Sequence, residues 1–115
     1  MARYTQHYVI AIGQEKLKPA IVNSLEACNL AVIYVSDDYF MAREVGGKIS
    51  FTKLVTVEVL VNQTEMPEDK IKLTCVTKNE ELPLKLDNHC SQMAEVVGNA
   101  FKQNESWNLL EAISG

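Results

Sequence analysis

Apolar and polar positions alternate along residues 49–62, ISFTKLVTVEVLVN. Ile49, Phe51, Val55, Val57, Val59 and Val61 share one face, which Lys53 interrupts. Ser50, Thr52, Thr56, Glu58 and Asn62 share the other face, together with Leu54 and Leu60. A period of two with β-branched residues on the apolar side predicts a half-buried strand. At about 3.3 Å per residue it would reach roughly 45 Å. Such a strand needs partners on both edges and a cover for its valine face.

Residues 4–12 read as a first strand. Apolar residues fall on both parities, which suits a central position. Leu17, Ala20, Ile21, Leu25 and Cys28 then recur at helical spacing. Proline is tolerated only in a helix's first turn, so Pro19 puts the start near residues 16–18, with the end near Cys28 or Asn29. Leu30–Val35 is a nearly continuous apolar strand.

Residues 36–47, SDDYFMAREVGG, support two readings. As a helix they have a serine cap, two first-turn aspartates and a terminal glycine. As a strand, residues 39–45 run into a Gly46-Gly47 hairpin turn and return along residues 48–62. The strand is favoured, because buried backbone groups of so long a neighbour need a partner. Asp37 and Asp38 then mark a bulge or bend in one long, interrupted strand. A two-residue loop sets Phe51 opposite Ala42, and a three-residue loop sets it opposite Met41.

Residues 63–69 form a turn around Pro67. Residues 70–78 are the next strand, with Ile71, Leu73 and Cys75 inward. Residues 79–84 are a loop closed by Pro83, with Leu82, Leu84 and Leu86 stapling it to the core. Asp87 is the expected cap of a helix whose stripe is Cys90, Met93, Ala94, Val97, Ala100 and Phe101. Gly98 in that helix marks close packing against the sheet. The stripe breaks at Asn104, and a shorter helix over 106–113 carries Trp107, Leu110 and Ile113.

The expectation is one α+β domain over residues 1–115. It has a single antiparallel sheet of about four strands, in the order β-α-β-β-β-α, with a long central hairpin and helices on one face. In element order alone this resembles the TATA-binding-protein-like and helix-grip families. The stretches KLVTVEVLVNQT (53–64) and NEELPLKLDNHC (79–90) resemble a group of small conserved cyanobacterial proteins of unknown function. The resemblance covers most of the chain from Tyr34 onward. It implies a cytosolic bacterial protein and carries no active site across.

Charge alters the picture little. A net charge of −4 without a long like-charge block lacks the concentrated positive face that phosphate binding needs, so nucleic acid is not an expected partner. The longest apolar run is far short of the roughly 20 residues of a membrane span, and the N-terminus has no export pattern. A cytoplasmic location follows as an expectation. Cys28, Cys75 and Cys90 lack CxxC spacing and read as free, packed thiols. With two histidines they match no zinc pattern, and no cofactor or metal is expected. No glycine-rich phosphate loop occurs.

Three groups of residues are candidates for chemistry. Cys90 sits in the first turn of a helix beside His89, where a dipole and an imidazole can activate a thiol. Adjacent helical residues point about 100° apart, however, and Cys90 lies on the apolar stripe, so a structural thiol is expected. Asp37 and Asp38 are paired carboxylates, which can act as acid and base or hold a cation. The plainer reading is a bend. Lys53, on the valine face, is expected to snorkel or to pair with Glu44 or Asp38.

Leu54 and Leu60, apolar on the nominally wet face, are the expected partner-binding residues. With the long hairpin edge they point to a non-catalytic binding or assembly module that forms homo-oligomers. The alternative is a carrier holding a small apolar ligand between the sheet and the C-terminal helix. A small thiol-dependent enzyme is the third reading.

Overall fold

The computed structural model describes residues 1–47, 49–63, 70–82 and 88–115. Strand β1 (Ala2–Ala11) leads into helix α1 (Gln14–Glu26). Strands β2 (Leu30–Val35), β3 (Tyr39–Glu44), β4 (Thr56–Asn62) and β5 (Lys70–Asn79) follow. Helix α2 (His89–Lys102) and strand β6 (Asn108–Ser114) complete the chain. Among the described residues the sheet has six strands in the order β2-β3-β4-β5-β1-β6, antiparallel throughout, and not the expected four.

Two misreadings account for the difference. Asp37 and Asp38 do not bend one long strand; they lie in the turn that reverses β2 into β3. The bulge in β2 lies instead at Ile33, between the pairs Val32–Ala42 and Tyr34–Met41. Residues 108–114 are strand rather than helix. They pair along β1 from Gln6 to Ala11, satisfying backbone groups that β5 leaves open on the other side.

The alternating stretch of residues 49–62 is only half a strand. Phe51–Lys53 form a single 3-10 turn, and pairing begins at Thr56. β3 ends at Glu44, so among the described residues no strand ladder forms along 49–54; the Glu80 N–H donates to the Thr52 carbonyl and the Asn79 side chain to that of Lys53 instead. Gly46-Gly47 is no tight hairpin turn, and Ala42 pairs with Val57 rather than Phe51. Lys53 is exposed and off the valine face. Glu44 takes His89 as its partner, not Lys53.

Burial follows strand parity. Tyr8, Ile10, Phe40, Ala42, Val57, Val59, Ile71, Leu73 and Cys75 are buried on the face that the helices cover. Leu17, Ala20, Ile21 and Leu25 seat α1. That helix starts at Gln14, earlier than Pro19 suggested, because Leu17 is buried in its first turn. Asn29 reverses the chain into β2 with φ 63°, a left-handed conformation that asparagine tolerates.

Helix α2 presents Cys90, Ala94, Val97, Gly98 and Phe101 to the core. Its cap is Asn88, whose side chain accepts from the Ser91 N–H. Asp87, Pro83, Leu84, Leu86 and the turn residues 64–69 lie outside the described residues; Leu82 is exposed and staples nothing. Beyond α2, the Asn104 side chain donates to Ser24 Oγ (2.5 Å) and the Ala20 carbonyl (3.2 Å), tying the two helices together. Trp107 closes the core. Its ring meets Phe101 edge-on at 5.5 Å, and its Nε1–H donates to the Phe101 carbonyl.

Candidate functional site

Among the described residues, the helices cover one face of the sheet and leave the other open. Strand registers place the open-face residues in rows across the strands. One row runs Ala31, Arg43, Thr56, Lys78 and Arg3. The next runs Tyr34, Met41, Glu58, Val76 and Thr5, and a third runs Tyr39, Leu60, Thr74, His7 and Ile113.

Glu58 organises the middle of this face. Lys78 reaches it at 2.6 Å, and the Tyr39 hydroxyl donates to its other oxygen. The Lys78 hydrogen bond, then that of Tyr39, holds the Glu58 carboxyl below its usual range. The same contact pushes the Tyr39 phenol up to about 12.

Apolar surface gathers at the β2 corner. Ile33 is 52% exposed, Tyr34 55%, Val35 44% and Leu60 44%. Tyr34 lies against Tyr39 with ring centroids 5.8 Å apart. Leu60 shares an open depression of about 850 Å³ with Asp37 and Asp38, so the fold brings three sequence candidates together. Leu54 is elsewhere. It is half-buried beside Arg43, Lys78 and Phe51, which is 83% exposed.

The two aspartates have separate engagements. Lys18 binds Asp37 at 2.6 Å and lowers its pKa. Ser36 Oγ donates to Asp38, and the Asp38 carbonyl accepts the Val61 N–H. The arrangement is that of a pinned turn.

The thiols are all buried. Cys90 does occupy the first turn of α2, but the positive end of that helix is already occupied. Glu81 accepts the N–H of Cys90 at 2.9 Å and of His89 at 3.4 Å, and the Asn79 side chain at 2.6 Å. Burial, then the Glu81 charge, pushes the Cys90 thiol up to about 11. Burial pushes Cys75 up to about 12 and also raises Cys28. His89 faces away from Cys90 and binds the buried Glu44.

A groove of about 410 Å³ runs between β1 and α2, past Tyr4, Gln6, Ala94, Gly98 and Lys102. Beneath it the space between sheet and α2 is filled by Tyr8, Val57, Val59, Val97 and Phe101, all fully or almost fully buried. Among the described residues no three His, Cys, Asp or Glu side chains gather to hold a metal ion. Among them, too, no helix is long and apolar enough to cross a membrane.

Sequence reasoning missed the edge position of β2, and with it the exposed run from Ile33 to Val35. The signal was there. LAVIYV has no charge or proline, but an apolar run reads equally as a central strand.

No family model matches the chain, and no curated protein is significantly similar to it. A conserved protein from Geobacillus kaustophilus, solved as a crystal structure, resembles it over 90% of this chain and 91% of its own length. The identity is 10% and the TM-score 0.42.

Proposed function

We propose that the chain is a non-catalytic binding or assembly module that self-associates. The observation that carries this reading is the β2 edge of the sheet, where Ile33, Tyr34 and Val35 lie exposed in succession, with Leu60 exposed two strands away on the open face of β4. Scattered exposed apolar residues need no explanation; a contiguous group on a sheet edge does. The titratable residues suit structure better than catalysis. The thiols are buried, and Glu44 and His89 are hydrogen-bonded to one another.

Light scattering across a wide concentration range tests the reading. A mass of two or more subunits that falls on dilution is the expected result, and Leu60→Asp weakens it. A strict monomer at high concentration, indifferent to that substitution, overturns it.

A further inference from the structure

Charge is divided between the two sides of the sheet. Among the described residues, the strand registers place Arg3, Arg43, Lys70, Lys72 and Lys78 on the open face, against the acids Glu58 and Glu111. Glu15, Glu26, Asp37, Asp38, Glu95 and Glu105 lie on the helices and turns. The net charge of −4 is therefore an average over unlike surfaces. It does not describe the open face, where cations outnumber acids.

One row of that face crosses four adjacent strands, as Arg43, Thr56, Lys78 and Arg3. With neighbouring strands about 4.8 Å apart, its two arginines stand roughly 14 Å from one another. Lys78, between them, is held by Glu58 at 2.6 Å. Arg3 and Arg43 are exposed, and among the described residues neither is in an ion pair.

Aromatic rings accompany the row. Phe51, 83% exposed, contributes almost nothing to the core. It shares an open depression of about 240 Å³ with Arg43, Leu54, Thr56, Lys78 and Glu80. Tyr34, 55% exposed, lies opposite Met41, one row further along β3. Arginines supply contacts to phosphates, and exposed rings supply faces on which bases stack. Surfaces that track a single strand of nucleic acid combine the two.

We propose that the open face of the sheet binds single-stranded nucleic acid, with phosphates on Arg3 and Arg43 and a base stacked on Phe51. The occupant is a single strand because stacking on a protein ring needs an unpaired base. The inference goes beyond the self-association reading and does not depend on it.

Fluorescence anisotropy of the full-length chain with a labelled thymidine or uridine oligonucleotide of about 12 nucleotides tests this. Binding is expected at about 50 mM salt and weakens as salt rises. Arg3→Gln with Arg43→Gln lowers the slope of log affinity against log salt by about 1.4, from two lost phosphate contacts at about 0.7 each. Phe51→Ala weakens binding about tenfold and leaves that slope unchanged, because stacking releases no counterions. All three positions are exposed, so the melting temperatures of these variants stay near that of the wild type. Lys16→Gln with Lys102→Gln, an equal change of charge on the helix side, leaves the affinity within about twofold.

Absence of binding at low salt overturns the inference. So does an equal loss from the helix-side pair, which would make the interaction one of net charge alone. Indifference to Phe51→Ala, or equally strong binding of duplex or of polyglutamate, also overturns it, since the rings would then play no part. A strict monomer that binds the oligonucleotide overturns self-association and leaves this inference standing.

Discussion

His89 Nε2 lies 2.8 Å and 3.0 Å from the two carboxylate oxygens of Glu44. The contact ties the start of α2 to the end of β3. Glu44 is buried, and it also accepts the Val55 N–H at 3.1 Å. His89→Ala leaves a buried carboxylate short of a donor and is expected to cost about 2 kcal/mol. His89→Gln, which keeps a donor, costs less. Urea unfolding of both variants measures the difference, and equal losses would show that the imidazole acts by packing alone.

Raised thiol pKa values forecast inertness. The native protein at pH 8 is expected to leave a thiol reagent unreacted over minutes, because Cys75 and Cys90 stay protonated and inaccessible. In denaturant all three cysteines react. One thiol reacting rapidly with the folded chain would revive the enzymatic reading of Cys90.

How far the sequence led depended on whether a decision was local. The stripe from Cys90 to Phe101 and the alternation from Thr56 to Asn62 were legible, because burial of one face needs only the right period. Residues 49–54 alternate as well, yet β3 ends before reaching them and among the described residues they join no ladder; Lys53 on the apolar parity was the one local sign. Trp107, Leu110 and Ile113 have helical spacing, and residues 108–114 show no clean alternation, since Glu111 shares the parity of Leu109 and Ile113, so the local pattern leaves both helix and strand open. The vacant side of β1 decides between them, and that is a tertiary fact. The same holds for the site. Buried thiols could be read from composition, but the pairing of His89 with Glu44 spans 45 positions and has no periodic signal.

Two glutamates contribute to the acid limit of stability. Lys78, then Tyr39, holds the Glu58 pKa down. Burial acts to raise Glu81, but the Asn79 side chain and the N–H groups of Cys90 and His89 outweigh it, and the net shift is downward. Glutamates of the unfolded chain titrate near about 4.3, so the unfolded state takes up protons first as pH falls. Stability from both groups is present above that value and is lost as pH falls through the lower folded values. The melting temperature is expected to hold from neutral pH to about 5 and to drop below about 4. Glu58→Gln and Glu81→Gln make that drop shallower. An acid limb unchanged in both variants would assign it to other carboxylates.

Gly98 lets α2 approach β1. A Cβ there would lie 3.0 Å and 3.1 Å from the Gln6 amide atoms and 3.3 Å from the Tyr8 hydroxyl, which itself donates to Gln6 at 2.6 Å. Alanine in place of glycine favours a helix by up to about 1 kcal/mol. The Gln6 amide faces the groove and can swing away, but doing so abandons a nearly buried Tyr8 hydroxyl. Gly98→Ala is therefore expected to be neutral or destabilising by about 1 kcal/mol, the helix gain offset by the broken hydrogen bond. In a Gln6→Ala background that bond is already gone and the space is open, so the same substitution stabilises. Gly98→Val, too large for either background, costs about 1–3 kcal/mol. A double-mutant cycle on Gln6 and Gly98 reads this as a coupling of about 1 kcal/mol. Strict additivity would mean that the Gln6–Tyr8 contact plays no part in keeping position 98 small.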